Sequence, residues 1–434
     1  MSDARYLAVK LLCKTFSSGS YSNIQLNSAL GSADMEPREK KLCSAIYYGV
    51  IERKLTLDHI ISGLSSRPLS KLDDSVLNIL RSGIFQILYM DGIPDNAAVN
   101  ESVELARAMK KTSASGMINA ILRNFIRSGK KIKLPEDEIQ KASIKYSAPC
   151  GLVTSLIDDY GREYAENLLE AALGKPDISV RHNPLRCTDE EFLAALGGIS
   201  AKKSEILEYC YNLDCGDPAE LNAFRNGFFH VQDLSSQLCC DALAPSESDL
   251  VLDICAAPGG KTFTMAEMMN GKGKILAFDL HEKRVRLIRD GADRLGLKNI
   301  TADAGDASKF NPELPEFTKI LCDVPCSGIG VIGRKPEIKY KNISDFSGLP
   351  GIQYAIADNA VRYLAPGGEM VYSTCTLRRA ENDDICDRLL AAHPELAPCT
   401  LGGIAGKKFE CRASIFPMHF GSDGFFIAKF RKIR

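Results

Sequence analysis

The 434-residue sequence has no tryptophan, no Cys-x-x-Cys pair and no long apolar run. A membrane-spanning helix needs about 18 or more consecutive apolar residues, so no span is expected. The opening Met1-Ser2-Asp3-Ala4-Arg5 lacks the apolar stretch of a signal peptide, and a cytoplasmic protein is expected. Fifteen cysteines make an odd number with no zinc-type spacing. They fit a reducing compartment, where most serve as small core residues, and no metal is expected. A large charge of one sign is also missing: the formal net charge is −1, which by itself argues against a binder of polyanions. The charge is uneven, however. Residues 1–133 hold 19 Lys+Arg against 12 Asp+Glu, a net +7, and the remainder carries −8. A basic first part on an acidic remainder suits an appended polyanion-binding module, and a basic solvated surface fits equally well.

What is present is an ordinary globular balance, 45% hydrophobic and 25% charged, in a chain long enough for several domains. Residues 1–135 read as all-helical. Val76, Ile79, Leu80, Ile84, Ile87 and Leu88 follow helical spacing behind Asp73 and Asp74. Further helices are expected over 96–111 and 115–127, and the stretch from Gly129 to Pro135 reads as a linker. Residues 145–230 read as a small α+β module, with a helix over 152–173 and a strand over 178–181. Another helix begins at Thr188, where Asp189, Glu190 and Glu191 suit its N-terminus. Residues 231–434 alternate strands (250–254, 275–279, 300–302, 320–323, 370–373) with helical stretches, the rhythm of a doubly wound parallel sheet. Two closing strands, 413–416 and 425–430, predict an antiparallel pair at the sheet edge.

Ligands of such sheets bind beyond the carboxyl ends of the strands. After the first strand comes Asp253-Ile254-Cys255-Ala256-Ala257-Pro258-Gly259-Gly260-Lys261-Thr262. Its small residues allow close backbone approach, and the next helix offers its amides. It is not Gly-x-Gly-x-x-Gly, and a Walker A loop would need glycine at Cys255. Asp279 ends the second strand, where a carboxylate can accept both ribose hydroxyls. Asp306 follows the third, where a carboxylate could meet an adenine amino group, although a turn residue fits that position equally. Together they favour a cofactor carrying adenosine, either S-adenosylmethionine or a dinucleotide.

Two cysteines fall at the same edge. Cys326 lies in Asp323-Val324-Pro325-Cys326-Ser327-Gly328 and Cys375 in Tyr372-Ser373-Thr374-Cys375-Thr376. Either cysteine alone fits a half-buried structural residue, but the two at adjacent strand ends beside a proposed adenosine site suit a thiolate that works with a methyl donor. Carbon 5 of cytosine is a poor nucleophile, and addition of a thiolate to carbon 6 turns the ring into an enamine that can attack an electrophilic methyl. Asp323 could hydrogen-bond the polar edge of the base, and the base must be unstacked to enter. Spacing alone does not decide which cysteine attacks.

These residues carry a resemblance. Val231-Gln232-Asp233 with Ser235-Ser236-Gln237, Leu252 to Thr262, Asp323 to Gly328, Arg334-Lys335-Pro336-Glu337, Ser373-Thr374-Cys375 and Asp423-Gly424-Phe425-Phe426 resemble the Sun/Fmu family of RNA (cytosine-5) methyltransferases. The likeness is to its bacterial group acting on 16S ribosomal RNA. The resemblance implies a Rossmann-like catalytic domain using S-adenosylmethionine. In it Cys255, Ala256, Ala257, Pro258, Gly259, Gly260, Lys261, Asp279, Asp306 and Asp323 would bind the cofactor. It implies Cys375 as nucleophile and Cys326 as the cysteine needed for product release. DNA cytosine methyltransferases use a Pro-Cys nucleophile, which would have pointed to Cys326. Ala97 to Glu101 and Asn119 to Arg123 resemble the helical domain of the antitermination factor NusB, and the middle part resembles the family's small RNA-gripping domain. Ile329, Leu234 and Cys150 depart from the family pattern at positions outside the proposed chemistry.

The expected substrate is therefore 16S ribosomal RNA, free or in a partly assembled small subunit, methylated by a monomer. The same chemistry on transfer RNA, and a non-catalytic RNA-binding factor, are the competing readings.

Overall fold

The structure, a computed structural model, describes residues 3–18, 22–174, 176–404 and 407–433. Its chain forms two compact units.

The first unit comprises Met1–Gly174 with Ile332–Ile343. It is built from α1 (Asp3–Ser18), α2 (Ser22–Ser32), α3 (Pro37–Glu52), α4 (Lys54–Leu64) and α5 (Asp74–Tyr89). It continues with α6 (Asp95–Ala108), α7 (Ser115–Arg127), α8 (Glu138–Tyr146), α9 (Cys150–Tyr160) and α10 (Arg162–Ala171). Helix α5 is central: its predicted apolar positions Val76, Ile79, Leu80, Ile84 and Ile87 are all buried, against Leu12, Tyr47, Ile61 and Phe125 among others. Asp73 caps it by accepting from the Ser75 amide at 3.0 Å, satisfying one of the helix's free donors. Among the polar groups in this core, Arg81 grips Asp58 through Nε at 2.6 Å and Nη2 at 2.8 Å.

Residues 332–343 are woven into this unit. Glu337 accepts from the Ser22 amide (3.2 Å) and hydroxyl (2.8 Å). The Tyr340 hydroxyl donates to the Ile51 carbonyl at 2.7 Å, and Lys339 Nζ donates to the Glu52 carbonyl at 2.8 Å.

These units are drawn differently from the three segments expected. The break at Gly129–Pro135 interrupts helical structure but not packing. Beyond it, Thr56 Oγ1 donates to the Ile144 carbonyl at 2.6 Å and the Leu55 amide donates to Ser147 Oγ at 2.9 Å. The helix expected over 152–173 is split into α9 and α10 by Gly161, whose φ of +80° no continuous helix allows.

The second unit comprises Lys175–Val331 and Ser344–Arg434. Its small α+β part holds β1 (Ile178–His182), α11 (Asp189–Ala195), β2 (Ala201–Lys203), β3 (Cys210–Leu213), α12 (Asn222–Arg225) and β4 (Phe229–Val231). The strands form an antiparallel sheet in the order β2-β3-β1-β4 over Val180, Phe192, Tyr211 and Phe229. Thr188 and Glu191 cap α11 reciprocally, as the acidic first turn suggested. This part joins the rest through Arg181 Nε to Glu267 at 2.7 Å, both side chains buried, and Asn183 Nδ2 to the Leu295 carbonyl at 3.1 Å.

The remainder runs α13 (Leu234–Leu243), β5 (Leu250–Asp253), α14 (Gly260–Met268), β6 (Lys274–Asp279), α15 (Glu282–Leu295), β7 (Ile300–Ala304) and β8 (Phe317–Asp323). It continues through α16 (Leu349–Tyr363), β9 (Leu364–Thr374), α17 (Asp383–Ala392), β10 (Leu396–Pro398), the small pair β11 (Gly402–Ile404) and β12 (Lys407–Phe409), β13 (Arg412–Ile415) and β14 (Phe425–Lys432). The large sheet has the order β10-β14-β9-β8-β5-β6-β7 with β13 on β14. Strands β5 to β9 pair in parallel, and β14 pairs antiparallel with β9, β10 and β13. The two closing strands thus pair as expected, with β14 also extending the parallel sheet. Strand order reverses between β5 and β8, the kind of switch point at which ligands of such sheets bind in a crevice beyond the carboxyl ends. Apolar clusters cover the sheet's two faces, one around Val251, Ile275 and Leu321 and the other around Leu252, Ile320 and Tyr372. Among the described residues no helix is long and apolar enough to cross a membrane.

Candidate functional site

The loop after β5 fixes one wall of the crevice. The Ala256 amide donates to the Phe278 carbonyl at 2.7 Å, and the Gly259 amide to Ala256 at 2.8 Å, which folds the chain back before α14 starts. Gly259 has φ +113°, and a Cβ there would come 2.4 Å from the Phe263 ring. Only glycine fits this turn, which leads directly into the first residues of α14. Asp253 is 1% exposed. It accepts from Thr262 Oγ1 at 2.6 Å. Burial pushes its carboxyl up to about 7. Burial also raises the Cys255 thiol, followed by the nearby carboxylates Asp253, Asp323 and Asp279. Cys255 is therefore held as a neutral thiol.

Asp279 ends β6, buried, facing Arg284 Nη1 at 3.1 Å. The same guanidinium donates to the Ala257 carbonyl at 2.7 Å and so ties the loop after β5 to the end of β6. Arg284 was not singled out from sequence; its place one turn into α15, five residues past Asp279, was the available signal. Asp306 follows β7. It accepts from the Ser308 amide (3.1 Å) and hydroxyl (2.7 Å) and faces Lys309 Nζ at 3.1 Å. The Ser308 hydroxyl leads the interactions that hold its carboxyl below the usual range. This is the turn geometry that sequence allowed as one of two readings of Asp306.

Asp323, at the end of β8, joins the two halves of the site. One carboxylate oxygen accepts from Lys261 Nζ at 2.7 Å and the other from Ser373 Oγ at 2.8 Å. Burial by itself would lower the Lys261 ammonium, but the charge of Asp323 outweighs it and the group is raised. Lys261 also sits 5.0 Å from the Phe425 ring centroid. Its side chain is thus committed to Asp323, and its contribution to the loop is through the backbone.

The loops after β8 and β9 bring the two cysteines together, with Cys326 Sγ 3.1 Å from Cys375 Sγ and both partly exposed. The Cys375 contact, then burial, then Glu381 and Asp323 all push the Cys326 thiol up. The loop carrying Cys326 is closed by a second glycine. A Cβ on Gly330 would lie 1.9 Å from the Gly424 carbonyl oxygen. The Gly330 amide donates to the Cys375 carbonyl at 3.0 Å, and the Gly424 amide to Gly330 at 2.8 Å. The Asp423-Gly424 motif therefore buttresses the cysteine pair. Asp233 caps α13 through the Ser235 amide and also accepts from the Asp423 amide at 3.1 Å, linking that motif to the Gln232-Asp233 turn.

Of the residues expected at the site, the structure gathers the loop 255–261, Asp279, Asp323, Cys326 and Cys375 along the carboxyl edge of one sheet, with Asp306 in a turn at the end of β7. Arg334 to Glu337, part of the same family pattern, lies instead in the segment that belongs to the helical unit. Sequence reading also passed over Gln353 and Glu381. Both are buried beside the Cys326 loop, and neither sits in a short motif with a recognisable chemistry. Among the described residues no group of His, Cys, Asp and Glu is arranged to hold a metal ion.

Comparison with known proteins finds two family matches along the chain. The family described as "16S rRNA methyltransferase RsmB/F" matches residues 240–431, and the NusB family matches residues 2–127. The "Probable ribosomal RNA small subunit methyltransferase B" of Bacillus subtilis is 36% identical over 99% of this chain and 98% of its own length. The "Ribosomal RNA small subunit methyltransferase B" of Escherichia coli O1:K1 / APEC is 32% identical over 91% of each chain. Among solved structures, that of PH0851 superposes with a TM-score of 0.82 at 23% identity, covering 99% of both chains. A methyltransferase homolog protein from Pyrococcus horikoshii superposes with a TM-score of 0.59 at 27% identity, covering 69% of this chain and 100% of that one.

Proposed function

Because the chain belongs to the 16S rRNA methyltransferase RsmB/F family, with a NusB-type domain ahead of the catalytic sheet, we propose that it methylates carbon 5 of a cytosine in small-subunit ribosomal RNA through a covalent Cys375 adduct. The observation that carries this reading is the pair of sulfurs at 3.1 Å beside Asp323, at the carboxyl edge of a parallel sheet.

The residues present fit S-adenosylmethionine. Helix α14 begins directly after the Gly259 turn and offers its first backbone amides, Ala256 and Ala257 are small, and Asp279 is a buried carboxylate at the ribose position. Cys255 to Lys261, Asp279, Asp306 and Asp323 would hold it. When bound, it supplies an electrophilic methyl carbon to carbon 5 of the activated ring.

The protein's own groups do the rest. Cys375 adds as thiolate to carbon 6, its lone pair forming the C–S bond while the ring's π electrons move toward carbon 5. Asp323, fixed by Lys261 and Ser373, accepts a hydrogen bond from the amino group on the polar edge of the base and so holds the ring for attack. After methylation the carbon-5 proton passes to water, and its bonding pair re-forms the C5–C6 double bond. In the same step the C–S bond breaks, with its electron pair returning to Cys375. The Cys326 thiol, kept protonated by its surroundings, donates a hydrogen bond to that departing sulfur. The target cytosine must be unstacked to reach this crevice, so free or partly assembled RNA is the substrate form we favour, bound with help from the basic helical unit.

The test is methyl transfer from labelled S-adenosylmethionine to unmodified 16S rRNA, with covalent protein–RNA complexes scored on denaturing gels. Cys375→Ala should be inactive and adduct-free, and Cys326→Ala should accumulate the adduct. A reversed pattern would exchange the two roles. Absence of transfer by the native protein to any RNA would sink the reading.

A further inference from the structure

Cys326 is held by both peptide groups that flank it. The Pro325 carbonyl accepts from Gln353 Nε2 at 3.0 Å, and the Ser327 amide donates to Glu381 Oε2 at 2.9 Å. Gln353 Nε2 also donates to that same Glu381 oxygen at 2.9 Å, so the two grips form one unit. The Ser327 hydroxyl is 2.8 Å from Thr376 Oγ1, next to Cys375. Arg378 Nη1 donates to the remaining Glu381 oxygen at 2.9 Å, and the Tyr372 hydroxyl holds the Glu381 carbonyl at 2.6 Å.

Gln353 and Glu381 are both 0% exposed. A buried carboxylate and its partner are poor sources of stability, because desolvation offsets their attraction and apolar residues would fill the space as well. Their hydrogen bonds run to the two peptide groups around one thiol and so fix the backbone that carries Cys326 beside Cys375. The same carboxylate is among the groups that keep the Cys326 proton in place.

We propose that Glu381 and Gln353 are positioning residues that clamp the Pro325–Ser327 loop so that the Cys326 thiol faces Cys375 and assists departure of its sulfur from the methylated base. This rests on the adduct chemistry proposed above. Neither residue touches the base. Each acts through Cys326, and only the release step depends on them in this way.

The experiment measures, on denaturing gels with labelled methyl donor and unmodified 16S rRNA, the ratio of covalent adduct to free methylated RNA. The proteins compared are native, Glu381→Gln, Gln353→Leu, Cys326→Ala, Cys375→Ala and the Glu381→Gln/Cys326→Ala double variant. Loss of a hydrogen bond to a charged group should raise the ratio at least about tenfold in Glu381→Gln, toward that of Cys326→Ala. The double variant should match Cys326→Ala alone, since both changes act on one group. A purely structural role would lower the melting temperature and total methylation together and leave the ratio unmoved. A native ratio in both Glu381→Gln and Gln353→Leu, or a Glu381→Gln effect undiminished on the Cys326→Ala background, overturns the proposal. If Glu381→Gln does not fold, Gln353→Leu reads the same clamp from its other end. Adduct formation by Cys375→Ala would instead overturn the underlying chemistry, and the proposal with it.

Discussion

Cys326 and Cys375 place their sulfur atoms 3.1 Å apart, although 49 residues separate them in the chain. The contact exists because β8 and β9 are neighbours in parallel register, with Asp323 opposite Ser373, so that the loops leaving both strands turn into the same crevice. Gly330 and Gly424 then let those loops touch backbone to backbone.

A dithiol this close should be closed by mild oxidation. A hydroperoxide converts one thiol to a sulfenic acid and is itself reduced. The second thiol then displaces water to give the disulfide, which needs the sulfurs to approach to about 2.05 Å. Treatment of the RNA-free protein should abolish methyl transfer, and a thiol reductant should restore it. Mass spectrometry should find a peptide pair linking Cys326 and Cys375. Oxidation that leaves these two cysteines separately alkylatable would contradict the contact.

The two acidic residues proposed for the nucleoside differ in a way that binding should register. Asp279 is buried, with Arg284 as its charged neighbour. Asp306 is more open, and both of its oxygens are already engaged by Ser308 and Lys309. Asp279→Ala should weaken equilibrium binding of S-adenosylmethionine by roughly 10- to 100-fold, the loss of one or two charge-assisted hydrogen bonds. Asp306→Ala should cost less, since its side chain must leave an existing turn to meet a ligand. Equal losses in calorimetric titrations would mean that Asp306 rearranges on binding.

The parts of this fold legible in sequence were those whose physics is local or periodic. The α5 stripe, the Asp73 cap and the Thr188–Glu191 box follow from spacing, and the β-α alternation after Val231 follows from short apolar runs between helical stretches. The small-residue turn at Gly259 was legible because few side chains permit a backbone to approach a ligand. Domain boundaries were less so, since Gly129 to Pro135 breaks a helix while α8 to α10 still bury their apolar faces in the same unit. The placement of Ile332–Ile343 in the helical unit had no local signal at all. Glu337 and Lys339 look like surface charges until the fold supplies Ser22 and the Glu52 carbonyl. Glu381 and Gln353 escaped for the same reason, because a carboxylate becomes informative only when its burial and partners are known.

Lys339 gives a prediction of opposite character, about stability. It is 1% exposed, and its ammonium donates to the Glu52 carbonyl. Burial pushes it down from the ordinary lysine value to about 7, against the pull of the Glu52 carboxylate and with the push of Arg53. In the unfolded chain this lysine stays protonated up to its ordinary value of about 10.4. Between about 7 and that value the unfolded state therefore binds the extra proton, and stability rises with pH. As pH falls through this window the position loses stability, until the folded lysine itself protonates near 7 and the loss stops growing. Lys339→Met removes the titrating group while keeping most of the apolar stem. Its stability relative to the native protein should be greatest at pH 7 and below and should shrink steadily toward pH 10, by roughly 1.4 kcal/mol per pH unit at most. Denaturant unfolding of both proteins at several pH values across this range reads the difference directly. A difference that stays constant with pH would mean that Lys339 keeps its ordinary affinity for the proton in the folded state.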